Sequence, residues 1–172
     1  VYKRQAELHL QELDFEQATE TASKAVGQED PRLQMFMVWH EEFTGRLEQT
    51  RDTEHKRLKE ILLEAIAHDE AYDYQAGLRV MEQVAPSLLE TTIDGVSDTA
   101  SELKDRLENN QSRLKSLEQI VRERVKRREL SGLLPLVDEL LSLKPGRLQV
   151  ESLQTQLDSR EEIIAERNKE TL

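Results

Sequence analysis

Short apolar stripes at helical spacing alternate with charged stretches along the whole chain, and several of them end in similar turns. From Tyr2 to about Leu13, Ala6, Leu8, Leu10 and Leu13 recur among charged residues, which predicts a helix. Asp14 begins a turn, and Ala18, Ala22, Ala25 and Val26 then mark one face of a second helix. Gly27 and Asp30-Pro31 are its stop signals. Glycine takes the left-handed cap conformation, and proline fits the first turn of a following helix.

The next pattern is long. Between Pro31 and about His68 there is no interior proline, and the only glycine is Gly45. Leu33, Phe36, Met37, His40, Phe43 and Leu47 form an apolar stripe with Trp39 beside it, and Leu58, Ile61, Leu62, Ala65 and Ile66 resume it after a polar interval. One helix of this extent would span about 55 Å at 1.5 Å per residue. The pattern reads as one long helix, with Thr50–Thr53, where β-branched residues weaken helix preference, as the alternative place for a break.

A second turn at Ala71 to Tyr74 leads through Gly77, Leu78, Met81 and Val84 to Pro86, and the stretch from Glu90 to Ser97 reads as loosely structured. Then comes the most regular pattern: Val96, Ala100, Leu103, Leu107, Asn110, Leu114, Leu117 and Val121 at four-three spacing, the signature of a coiled-coil seam. Asn110 either sets register in that seam or faces solvent. The leucine-rich segment from Leu130 to Leu143, with Pro135 in its first turn, predicts a short helix ended by Lys144-Pro145-Gly146. Leu148, Leu153, Leu157, Ile163 and Ile164 pattern a last helix whose charged tail, from Glu161, is expected to fray.

Three of these turns share a motif. Asp14-Phe15-Glu16-Gln17-Ala18 runs to Pro31, Asp73-Tyr74-Gln75-Ala76-Gly77 to Pro86, and Glu129-Leu130-Ser131-Gly132-Leu133 to Pro145. Recurrence of this kind signals stacked helical hairpins that bury one another's apolar faces. The period of about 58 residues leaves room for an added long helix in each repeat. The expected fold is therefore all-α, an elongated array of helical hairpins joined by long helices with coiled-coil character. Its expected segments are 1–68 (first hairpin and long helix), 69–128 (second hairpin and heptad-patterned helix) and 129–172 (third hairpin and last helix).

Composition fits such a fold. Apolar residues make up 37% and charged residues 34%, with one tryptophan, and a helix that buries only a stripe needs no more. The formal charge of −11 disfavours nucleic-acid and anionic-membrane binding, and with no cysteine there is no thiol chemistry. Neither a membrane-length apolar run nor a signal-peptide pattern is visible. The expected location is cytoplasmic, and the first residue, Val1, reads as the start of a fragment of a longer protein.

Candidate chemistry is thin. His9, His40, His55 and His68 show no zinc-protease spacing. Glu64 and His68 share a helix face, but a metal site would need a second such pair on another helix, and the neighbouring candidate, Glu42 and Arg46, is not one. There is no glycine-rich phosphate loop and no nucleophile elbow, and the many acidic residues read as solvated faces. Asp14 and Asp73 read as turn or cap groups. No enzyme, cofactor or metal is expected. The aromatic group Phe36, Trp39 and Phe43 is the candidate protein-binding patch, and the same spacing fits buried core. The run Arg122, Arg124, Lys126, Arg127 and Arg128, against Glu123, either complements a helix dipole or docks an acidic group.

The first hairpin resembles a degenerate tetratricopeptide repeat: Ala6, Phe15, Ala18 and Ala25 match that family's small and aromatic positions, and Pro31 falls one residue short of its usual place. Only Tyr74 and Gly77 repeat the match clearly. A looser likeness, strongest from Arg127 to Pro145, is to helical regions that follow the catalytic domains of bacterial serine/threonine kinases. The first resemblance implies peptide or protein binding, although the long intervening helices depart from that family's tight superhelix. The leading expectation is a non-catalytic scaffold or spacer that contacts a protein partner or a neighbouring domain of the same chain. Its surfaces would be the Phe36–Phe43 patch and the outer face of the third hairpin. Homodimerisation through the Val96–Val121 seam is one alternative, and a regulatory segment of an attached kinase is the other. Neither nucleic acid nor membrane is an expected partner.

Overall fold

A computed structural model describes residues 1–26 and 33–170. Among these the chain is all-α: seven α-helices and one 3₁₀ turn, with no strand. The helices are α1 (Tyr2–Gln11), α2 (Phe15–Val26), α3 (Leu33–Glu70), α4 (Tyr74–Met81), α5 (Ala100–Lys126), α6 (Leu134–Leu143) and α7 (Leu148–Glu170), with the 3₁₀ turn at Pro86–Leu88. The stop signal expected at Gly27 and Asp30-Pro31 lies outside the described residues, as does the side chain of Leu33.

Three helix ends are closed alike, although the next helix starts directly after Asp14 and Asp73 but five residues after Glu129. Leu13, Tyr72 and Arg128 adopt left-handed conformations with φ of 59°, 59° and 60°. The next N–H in each case, from Asp14, Asp73 or Glu129, donates at 2.9 Å to the carbonyl five residues back, on His9, His68 or Arg124. The left-handed residue's own N–H donates to Leu10, Asp69 or Val125 at 3.1, 2.9 and 3.0 Å. This paired bonding is the Schellman closure of a helix C-terminus, normally made with glycine. Asp14 also opens α2, since its Oδ1 accepts the Gln17 N–H at 3.2 Å. One carboxylate thus follows the end of α1 and caps the start of α2.

Two compact units divide the chain, one from 1–67 with 76–104 and the other from 68–75 with 105–172. Their boundaries fall inside α3, α4 and α5, whereas the three expected segments were cut at 68/69 and 128/129. In the first unit α1 and α2 pack through alanines. Ala6, Ala18, Ala22 and Ala25 are buried with Leu10, and Trp39, Phe43 and Leu47 of α3 complete the cluster, with Phe15 at its margin. Small side chains let the helix backbones approach, which leaves room for the two large rings. Ser87 Oγ donates to the Glu12 carbonyl at 2.9 Å and so ties the 3₁₀ segment to the end of α1.

No break interrupts α3 at Thr50–Thr53. The cost of a β-branched residue in a helix is only tenths of a kcal/mol, and Leu47 and Leu58 are buried on either side. Thr53 Oγ1 donates back to the Gln49 carbonyl at 2.8 Å. The stretch from Glu90 to Ser97 is also more ordered than expected. Ile93 is buried, and Val96 N–H closes a turn on the Ile93 carbonyl at 3.1 Å. Val96 therefore precedes α5. The helix is opened by a capping box, in which Thr99 N–H donates to Glu102 Oε2 at 2.9 Å and Glu102 N–H to Thr99 Oγ1 at 3.3 Å.

In the second unit Val137 and Leu140 of α6, Leu133 before it, Leu157 of α7 and Leu114, Leu117 and Val121 of α5 are buried. Arg113 of α5 clasps both carboxylate oxygens of Glu139 on α6, at 2.5 and 2.6 Å. Gln154 of α7 donates to Asp138 of α6 at 2.7 Å. The tail from Glu161 is helical as far as Glu170, with the side chains from Asp158 to Lys169 exposed. No helix among the described residues is long and apolar enough to cross a membrane.

Candidate functional site

The aromatic group expected as a binding patch lies mostly inside the first unit. Trp39 is 7% exposed and Phe43 is fully buried, while Phe36 is half-buried. The two buried rings stack with centroids 5.1 Å apart. Trp39 takes its place in the buried stripe, and Met37, which the pattern put in the stripe, is exposed. One turn of a real helix separates Trp39 from Phe43, so a stripe running Phe36, Trp39, Phe43 and Leu47 drifts around the cylinder less than the one assumed from sequence.

A polar clamp closes over this group. Glu7 of α1 accepts from the Trp39 indole Nε1 at 3.4 Å and from both terminal nitrogens of Arg46, at 3.1 and 2.5 Å. Lys3 lies over the Trp39 ring at 5.5 Å and Arg46 over the Phe43 ring at 5.6 Å. The hydrogen bond from Arg46 is the main cause holding the Glu7 carboxyl below its ordinary range, and it outweighs partial burial, which acts the other way. An anchor presented to a partner would need the rings outside this clamp.

The seam expected from Val96 to Val121 is filled from within the chain. Ala100, Leu103, Leu107, Leu114, Leu117 and Val121 are all buried. Asn110 and Val96 are half-buried. The third hairpin behaves similarly, because Leu134, Leu136, Leu141 and Leu143 are half-buried rather than an open outer face. Its end is held by Tyr74, whose hydroxyl donates to the Leu143 carbonyl and whose pKa is raised by burial. No group of three or more His, Asp or Glu side chains suited to a metal occurs among the described residues.

One apolar groove open to a partner lies in the second unit. A groove of about 790 Å³ runs between the last turns of α5 and the start of α7. Val121 and Val125 line one side and Leu148, Val150 and Leu153 the other. Leu148 is 82% exposed and Val125 is also exposed. Arg147 bonds Glu118 at 2.5 Å within the same groove, so that pair is internally compensated. Arg122 lines the groove as well and is exposed. Arg124, by contrast, is used locally, donating to the Ser131 and Gly132 carbonyls in the adjoining turn.

Sequence reasoning placed Leu148 in the core pattern of α7 and so missed this surface. Leu157 of the same pattern is buried; Leu148 is the first residue of α7 and stands five residues from Leu153, where Leu157 stands four from it. Other exposed apolar residues include Met35 and Val38 on α3, Leu63 further along it, and Ile163 and Ile164 on α7. No protein-family model matches the chain, and no curated protein or solved structure is significantly similar to it.

Proposed function

We propose that this chain is a non-catalytic helical-repeat scaffold that contacts a protein partner or a neighbouring domain. The observation that carries this reading is the threefold recurrence of one helix closure, with a left-handed residue and the same pair of backbone bonds at Leu13, Tyr72 and Arg128. Glycine is absent from all three positions, so no common residue preference produces the geometry. Repeated construction is the economical explanation, and repeat proteins with packed interiors work through side chains on their outer faces. Polar groups near the core are engaged in structural bonds, such as that of Tyr74 to the Leu143 carbonyl and, at the surface, that of half-buried Glu7 to exposed Arg46. What the surface offers is apolar side chains among charged ones, which suits association more than chemistry.

The test is a photo-crosslinking scan in the cells that make the protein, with a benzophenone amino acid placed in turn at Met35, Leu63, Leu148 and Ile163. A scaffold gives a discrete adduct at some of these positions and none at others. Adducts at no position, or the same smear at every position, would overturn the reading.

A further inference from the structure

We infer that the groove between α5 and α7 is a docking site for an acidic amphipathic helix of a partner protein. The inference rests on the scaffold reading and names the chemistry of its partner. The floor is apolar, with Val121 and Val125 of α5 on one side, Leu148, Val150 and Leu153 of α7 on the other, and Leu140 of α6 also in the lining. A groove between two helices suits a third helix that lays down residues spaced three and four apart. Full exposure of such leucine and valine side chains to water is unfavourable by about 25 cal/mol per Å², and Leu148 is the most exposed leucine of the described residues.

Charge selects the occupant. The chain as a whole carries −11 and repels acidic ligands. Between positions 122 and 128 that sign reverses, with five basic side chains against Glu123. A helix dipole accounts for basic residues in the last turn of α5, namely Arg124 and Lys126. It does not account for Arg122, which lies one turn further in, where the dipole has faded, and lines the groove itself. Lys126 follows Arg122 by four residues and so continues the same edge of α5. Glu118, the acidic group in the groove, is already neutralised by Arg147. The charge left over in the lining is that of Arg122, with Lys126 beyond it on the same edge, which matches a partner helix with apolar anchors flanked by Glu or Asp.

Two fluorescein-labelled synthetic helices test this, one with leucines at i, i+3, i+4 and i+7 and glutamates elsewhere, the other with lysines replacing the glutamates. Anisotropy titration of the full chain should give binding of the glutamate peptide at least about tenfold tighter than of the lysine peptide, weakening as salt rises. Leu148→Glu, and Arg122→Glu with Lys126→Glu, should each weaken it at least about tenfold. These side chains are exposed, so the circular-dichroism melt checks that each variant is folded. Equal binding of the two peptides, or no binding, would overturn the proposal. So would two other results: capture by phosphatidylserine vesicles in place of the peptide, or a concentration-dependent dimer abolished by Leu148→Glu, which would assign the groove to a lipid surface or to a second copy. If the peptides fail while crosslinks persist at Leu63 or Ile163, only the groove assignment falls; if crosslinks fail everywhere, the scaffold reading falls with it.

Discussion

Trp39 illustrates how one side chain's role is settled by residues far away in sequence. Its indole donates to Glu7, 32 positions earlier, its ring stacks on Phe43, and the ammonium of Lys3 covers it. Removing a side chain so placed leaves a cavity that neighbouring alanines cannot fill. Trp39→Ala should therefore cost about 3–5 kcal/mol in chemical denaturation; a near-neutral change would show that the ring is not core. Glu7 makes a second, pH-dependent prediction. Its carboxyl is held below its ordinary value, foremost by the hydrogen bond from Arg46. A carboxyl depressed in the folded state stabilises at pH above its unfolded value, about 4.3, and loses that contribution as pH falls through the lower folded value. At neutral pH Glu7→Gln should cost about 1 kcal/mol or less, because the ion pair is partly solvated. Urea titrations at several pH values should show the gap to wild type narrowing below about pH 4. A gap independent of pH would remove the carboxylate from the account.

At the level of elements, the helices were legible where an apolar stripe ended in a strong signal. The ends of α1 and α6 fall within a few residues of the expected positions. Elsewhere the sequence misled for identifiable reasons. Thr50 and Thr53 offered an alternative break, but weak propensities yield to burial of Leu47 and Leu58. Val96 matched the heptad and was read into the seam, although the Thr99-to-Glu102 capping signature was present to mark a later start. Trp39 and Leu148 could not be sorted into core and surface, because periodicity names a face and leaves open what covers it. The conformation of the three turns was hidden too, since Leu, Tyr and Arg are not residues that announce a left-handed backbone. That conformation has a measurable cost. A Cβ in the left-handed region is unfavourable by roughly 1–2 kcal/mol, so Arg128→Gly should be more stable than Arg128→Ala by about 1 kcal/mol. Both variants lose the same side chain, and their difference isolates the backbone. At Ser116, exposed inside α5, the order should invert, with alanine favoured by about 1 kcal/mol. Finding alanine favoured at both positions would argue against the left-handed turn.

For the molecule as a whole, the question with most consequence is whether the regular seam of α5 joins two chains or is used up within one. Ala100 and Leu103 are buried in the first unit and Leu107, Leu114, Leu117 and Val121 in the second. A seam already covered has no apolar area left to drive dimerisation, and a surface carrying net negative charge opposes self-association. Light scattering over a concentration series should therefore return the mass of a single 20.0 kDa chain. The same arrangement fixes what seam mutations do. Leu107→Ala removes a fully buried side chain and should cost about 2–5 kcal/mol, with no dependence of the unfolding midpoint on protein concentration. In a dimer held by this seam, the midpoint would rise with concentration and the substitution would shift mass as well as stability. A concentration-dependent midpoint in the wild-type chain would thus move the function from scaffold to assembly element, and the partner sought would become a second copy.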